Sequence, residues 1–261
     1  MEPGHLNGRP ALEISALRVT YGPKVAVDGV TFSVNEGEIF GLLGPNGAGK
    51  TSTLSAVEGL VKPAAGSITV DGIDARTHAA DARARIGVQL QSTSFQKELT
   101  IRDLVRLYSG LYGAPRTKAA ADEHLAAAHL GDEAGKRFGE LSGGQQKRLA
   151  LLIATVHDPS LVLLDEPTAG LDPQARRQLW DRIEQMRRSG RSILLTTHSM
   201  EEAQSVCDRV AIIDHGKIVS LDTPAGLIAK HRDDPDVKRA ARGEVTLEDV
   251  FIGLTGSELR D

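Results

Sequence analysis

Apolar residues along the chain fall into two spacings. Leu12–Tyr21 alternates apolar with polar positions and predicts a strand with Ile14, Leu17 and Val19 on its core side. Val25–Val34 predicts a second strand that passes through a turn at Asp28-Gly29. Ile39–Leu43, Ile86–Leu90, Leu161–Leu164, Ser192–Thr196 and Val210–Ile213 are short and largely apolar, the mark of strands buried on both faces. Ser67–Asp71 reads as a short strand closed by Asp71-Gly72. Asp214-His215-Gly216 reads as a hairpin turn leading into Ile218–Leu221. Helical spacing marks Thr51–Glu58, Ile101–Tyr112, Thr117–Leu130, Gly143–His157 and Gln174–Arg188. Strands alternating with helices imply a mainly parallel, helix-covered sheet. No strand pattern interrupts Thr100–His157, so a helical subdomain of about 92–157 is expected as an insertion.

The expected organisation is a loose N-terminus over 1–11, a main domain over 12–222 and an extension over 223–261. His231–Gly243 is charged and reads as an exposed connector. Thr246-Leu247-Glu248-Asp249 then offers a helix cap, with Leu247, Val250, Phe251 and Leu254 on one face, a pattern that a helix docked on its own domain would show.

Composition narrows the classes. The 261 residues, 40 % hydrophobic and 25 % charged, suit one large or two small globular domains. A net charge of −4 gives no electrostatic footprint for nucleic acid, and none is expected as a partner. The longest apolar run, Leu149–Val156, falls far short of the ~20 residues that cross a bilayer and reads as a buried helix face. Met1–Pro10 lacks the apolar core of a signal peptide, so a cytoplasmic protein is expected. Cys207, the one cysteine, leaves no internal disulfide; its helical spacing with Met200 and Ala203 reads as core filling.

Gly44-Pro45-Asn46-Gly47-Ala48-Gly49-Lys50-Thr51 matches the phosphate-loop pattern in full, between an apolar strand and a helix. Its glycines let the backbone wrap phosphate oxygens closely, and successive N–H groups at a helix start form an anion nest. Lys50 can reach β- and γ-phosphates, and the Thr51 hydroxyl can ligate Mg²⁺. The fold class expected is α/β: a phosphate-loop NTPase core with a mainly parallel sheet, an N-terminal antiparallel β part and the inserted helices.

Leu161–Leu164 ends on Asp165-Glu166. Parallel strands present ligand groups at their carboxyl ends. Asp165 can therefore hold Mg²⁺, and Glu166 can act as general base toward an attacking water. Leu141-Ser142-Gly143-Gly144-Gln145 precedes a helix that Ser142 can cap. Read plainly it is a helix start with two glycines; read further, it is a second anion site. One ATP does not need two such loops from one chain, and the excess suggests a site completed by another copy.

Leu141–Gln145 is identical to the signature sequence of ATP-binding subunits of ABC transporters, and the chain resembles that family over nearly all of Leu12–Leu221. The resemblance implies that two such subunits pair head to tail, with ATP between one phosphate loop and the partner's Ser142, Gly143, Gly144 and Gln145. It implies ATP and Mg²⁺ held by Tyr21, Asn46, Gly47, Ala48, Gly49, Lys50, Thr51, Ser52, Gln91 and Asp165, with Tyr21 stacked on adenine. Gln91, rather than its neighbour Gln89, aligns with the glutamine that contacts metal and water. Leu171-Asp172 resembles the loop that meets the partner, and His198 the histidine at the γ-phosphate. Thr246–Gly256 resembles the end of drug-resistance and polysaccharide-export ATPases. The implied function is ATP hydrolysis that drives a separately encoded membrane permease, an exporter, from its cytoplasmic face. The alternatives are a soluble ABC ATPase of translation, iron–sulfur assembly or repair, and a phosphate-loop kinase, which would leave Leu141–Gln145 unexplained.

Overall fold

A computed structural model describes residues 9–90, 95, 96 and 98–256. In chain order the elements are β1 (Leu12–Tyr21), β2 (Lys24–Val34), β3 (Ile39–Leu43), α1 (Lys50–Val57), β4 (Ala65–Val70), β5 (Ile73–Asp74), α2 (Ala79–Ala84) and β6 (Ile86–Gln89). There follow α3 (Ile101–Leu111), α4 (Lys118–Ala127), α5 (Gly143–Ala154), β7 (Leu161–Asp165), α6 (Pro173–Arg188), β8 (Ser192–Thr197) and α7 (Met200–Val206). The chain closes with β9 (Arg209–Asp214), β10 (Lys217–Asp222), α8 (Pro224–His231), α9 (Pro235–Ala240) and α10 (Leu247–Thr255).

One sheet is antiparallel in the order β2-β1-β4-β5. The other runs β10-β9-β3-β8-β7-β6, parallel except for the β9–β10 hairpin. The apolar runs are explained by strand geometry, since successive side chains leave a strand on opposite faces. Phe40, Leu42, Leu163, Leu194, Ala211 and Ile213 join one core with α1 and the antiparallel sheet. Their alternating neighbours Ile39, Leu43, Val162, Leu164, Ile193, Leu195, Val210 and Ile212 join a second core with α6 and α7. The stacked rings of Phe32 and Phe40, 4.8 Å apart, link the two sheets. A third core is drawn wholly from residues 95–156, with Ile101, Leu104, Leu125 and Leu149 fully buried.

Several local expectations change. β2 runs unbroken through Asp28-Gly29, because Gly29 (φ +75) is the extra residue of a bulge, opposite Leu17 and Arg18, rather than a turn. His231–Gly243 is not wholly an exposed connector. Asp234 caps α9 with Pro235 in its first turn, and Val237 is fully buried against α10, where a Cβ on Gly253 would lie 2.5 Å from it. The helix from Thr246 carries its full capping box, and Leu247, Val250 and Phe251 sit in the second core. Cys207 lies one residue past α7 in extended backbone, buried so close to Gly41 that an added Cβ there would meet its Sγ at 2.8 Å. That burial pushes its thiol well above the usual range. Of the terminus expected to be loose, 1–8 lie outside the described residues, while Ala11 is buried and accepts a hydrogen bond from the Asp71 N–H.

Glu58, at the end of α1, is buried, and that burial, with Asp165 adding repulsion, raises its carboxyl from an ordinary 4.5 to about 7. The folded chain therefore binds this proton more tightly than the unfolded chain, and stability falls as pH rises between those two values. Glu58→Gln, which cannot ionise, is expected to raise Tm at pH 8 by at least about 2 °C and to leave it nearly unchanged at pH 4, by scanning calorimetry.

Candidate active site

Three neighbouring parallel strands deliver the site. Leu43 of β3 is in register with Thr197 of β8, and Thr196 of β8 with Asp165 of β7, so Gly44, Glu166 and His198 leave the same sheet edge. The loop after β3 is tightly built. A Cβ on Gly44 would lie 2.3 Å from the Ile213 carbonyl oxygen, and one on Gly49 (φ +110) 2.6 Å from that of Ala26. Only glycine fits at either position. The Gly216 N–H donates to the Ala48 carbonyl at 2.9 Å, tying the loop to the β9–β10 turn.

Lys50 is buried at the start of α1. Its Nζ donates to the Gly44 and Pro45 carbonyls at 2.7 and 3.2 Å and lies 3.6 Å from Glu166 Oε1. Burial pushes its ammonium below the ordinary lysine range, while Glu166 and then Asp165 push back. Thr51, the next residue, donates through Oγ1 to Asp165 Oδ2 at 3.2 Å. Asp165 is buried and takes a second hydrogen bond from Thr196 Oγ1 at 2.5 Å. A hydroxyl and a carboxylate in contact supply two oxygen ligands of the kind that suits a hard divalent cation. Asn46 and Gly47 lie exposed in the loop with Thr51, while Ala48 is buried and Ser52 half-buried.

Glu166 adopts φ +45, a costly conformation for a non-glycine residue, and its N–H donates to Thr196 Oγ1 at 3.0 Å. That turn sends its carboxylate back toward Lys50. His198, half exposed, places Nδ1 3.2 Å from Glu166 Oε1. Lys50, Thr51, Asp165, Glu166 and His198 are thus brought together. Tyr21, at the end of β1, is 47 % exposed, which leaves its ring free to stack. Gln91 lies outside the described residues.

Ser142, Gly143, Gly144 and Gln145 do not join this group. Ser142 and Gln145 form a reciprocal capping box at the start of α5. A cavity of about 280 Å³ lies over Ser142, Gly143, Gly144, Gly170, Leu171 and Asp172, and no phosphate-loop residue lines it. Asp172 caps α6 by accepting from the Gln174 and Ala175 N–H groups.

Sequence reading gave no role in the site to Thr196, Lys147 or Glu202. Lys147, on α5, faces Asp165 and Glu166, which oppose the burial that lowers its ammonium. Hydroxyls in Thr196-Thr197, ending an otherwise apolar strand, are the signal that could have found the buried polar contacts.

In sequence and in fold the chain is similar to known proteins. The family model described as "ABC transporter" matches residues 27–169. Nod factor export ATP-binding protein I of Paraburkholderia xenovorans (strain LB400) is 42 % identical over 221 residues, 84 % of this chain and 73 % of that one. Its counterpart in Burkholderia orbicola (strain AU 1054) is 38 % identical over 92 % of this chain and 95 % of its own. A solved ATP-binding subunit of an ABC transporter superposes with TM-score 0.80 at 27 % identity, covering 94 % of this chain and 99 % of that chain.

Lys50 is the cation that reaches into the loop, so Lys50→Met is expected to weaken ATP binding at least ~10-fold, read by titration with a fluorescent nucleotide. Unchanged affinity would remove Lys50 from the nucleotide site.

Proposed function

Because the chain belongs to the ABC transporter family of ATP-hydrolysing subunits, we propose that it powers a separately encoded membrane permease and serves export. The observation that carries this reading is the division of one chain into two half-sites, the cluster around Lys50 and the cavity at Ser142. The export direction is supported by the relatives, which are named export ATPases. No helix among the described residues is long and apolar enough to cross a membrane, and in this reading the permease supplies the path for cargo.

The residues then take these parts. Tyr21 stacks on adenine, and Asn46–Ser52 enclose the phosphates with Lys50 between the terminal two. Thr51 and Asp165, with Gln91, would hold Mg²⁺, which supplies neutralising charge for the phosphate oxygens. Glu166 accepts a proton from water as the water oxygen bonds to the γ-phosphorus. The bond from that phosphorus to the bridging oxygen breaks, leaving ADP and phosphate. His198, held against Glu166, keeps that carboxylate and the γ-phosphate in register. Ser142, Gly143, Gly144 and Gln145 receive the γ-phosphate of a nucleotide bound by a second copy. That placement gives a helix N-terminus an anion to face.

Glu166→Gln tests the catalytic part. It should still bind Mg²⁺-ATP and hydrolyse it at least ~100-fold more slowly, since positioned acid–base groups contribute 10²–10⁴. Near-normal turnover would exclude Glu166 as the base. Affinity purification from solubilised membranes tests the transport part. A stoichiometric polytopic membrane protein is the expected partner, and ribosomes or a soluble assembly scaffold in its place would favour a non-transport ATPase.

A further inference from the structure

Behind the carboxylate and histidine lies a buried polar group with no part in the chemistry above. Glu202, in α7, is 6 % exposed. One of its oxygens, Oε1, accepts from Thr168 Oγ1 at 2.5 Å and lies 3.6 Å from Arg176 Nε. The other, Oε2, accepts from Thr197 Oγ1 at 3.0 Å. Thr168 and Thr197 are themselves buried. A buried carboxylate is tolerated only where donors satisfy it, and here two hydroxyls donate, one from the turn after β7 and one from the end of β8, with the Arg176 guanidinium of α6 as a charged neighbour.

The chain positions of these donors give the contact its meaning. Thr168 stands two residues after Glu166, in the turn where the Ala169 N–H donates to the Glu166 carbonyl at 3.2 Å. Thr197 immediately precedes His198, and its Oγ1 also accepts from the Ser199 N–H at 2.9 Å. Arg176 lies one helical turn beyond Asp172, and its N–H donates to the Asp172 carbonyl at 3.0 Å. Glu202 itself is fixed from behind, its N–H donating to Ser199 Oγ at 3.3 Å. One carboxylate therefore spans the loop that carries Glu166, the strand end that carries His198, and the helix that starts at the Asp172 loop.

We propose that Glu202 is a positioning residue for ATP hydrolysis, holding Glu166 and His198 in a fixed relation and tying both to the Asp172 loop. The proposal rests on the roles given above to Glu166 and His198. Its physical content is that Glu166 sits in a costly backbone conformation (φ +45), which neighbouring contacts must hold. An error of ~1 Å in a catalytic group can cost ~10²-fold in rate. An apolar residue at 202 would fill the space equally well; a carboxylate adds direction, because it bonds two hydroxyls at once.

Steady-state and single-turnover hydrolysis by the full chain test this. Glu202→Ala should lower kcat ~10- to 100-fold while the Kd for Mg²⁺-ATP changes less than ~3-fold. Glu202→Gln, which keeps the shape and one acceptor, should lie between that variant and the parent. In a Glu166→Gln background the same Glu202→Ala change should lower the remaining rate less than ~3-fold, because the group it positions is already lost. A role in folding alone would not produce that non-additivity. If Glu202→Ala does not fold, Thr168→Val with Thr197→Val removes both donors at nearly constant shape and carries the same expectation. Normal kcat in the Glu202 variants beside an inactive Glu166→Gln would overturn this inference alone, as would fully multiplicative losses. Near-normal turnover in Glu166→Gln would overturn the base assignment and this inference with it.

Discussion

The parallel register of β3, β8 and β7 is the constraint on which the rest of the site depends. Gly44 follows Leu43, which is paired with Thr197, and Glu166 follows Asp165, which is paired with Thr196. A slip of one residue in any of these pairs would turn every side chain of that strand to the opposite face. The cost would fall on both cores at once, since alternate residues of each strand belong to different cores. Registry of the chemistry is therefore enforced by packing many residues away from it. The loops start from positions that the strands set and are then held by their own hydrogen bonds.

Against that apolar frame, a small set of polar side chains is buried at the same edge: Lys50, Asp165, Thr168, Thr196, Thr197 and Glu202. Each is satisfied by another of the set or by backbone. Thr196 serves both the Asp165 carboxylate and the Glu166 N–H, and Glu202 serves Thr168 and Thr197. Such networks are expensive when half-made and directional when complete. Here they lie beside Glu166 and His198, with Thr197 directly before His198 and Asp165 directly before Glu166. At the Ser142 end of α5 a capping box satisfies the Ser142 and Gln145 N–H groups, and the cavity over it is shared with Asp172. A helix start and a cap of this kind can receive an anion from outside without any rearrangement of the first site.

What the sequence disclosed depended on how local the cause was. β1 and β3 were readable to the residue because alternation and an unbroken apolar run determine them. The phosphate loop, Asp165-Glu166 and the Ser142 cap were legible because each needs particular residues at fixed spacing. β5 and α2 escaped notice, being two and six residues long with no large buried apolar side chain. α9 was hidden by its charge: of its six residues only Val237 is buried, so no periodicity announces it. The bulge at Gly29 looked like a turn because both need a glycine at positive φ, and only the pairing with Leu17 and Arg18 separates them. The Glu202–Thr168 contact could not be found, since the two residues lie 34 positions apart and meet only through the fold.

The central claim is that one chain carries two half-sites which a nucleotide joins across a pair of copies. Static light scattering of the Glu166→Gln protein reads this most directly, in Mg²⁺-ATP, in Mg²⁺-ADP and without nucleotide. A γ-phosphate bridging two copies binds the paired state better and so shifts the population toward it. The molar mass should double with ATP alone, and Ser142→Arg should abolish the doubling while each monomer still binds ATP. A Glu166→Gln protein that stays monomeric in saturating Mg²⁺-ATP would contradict the claim.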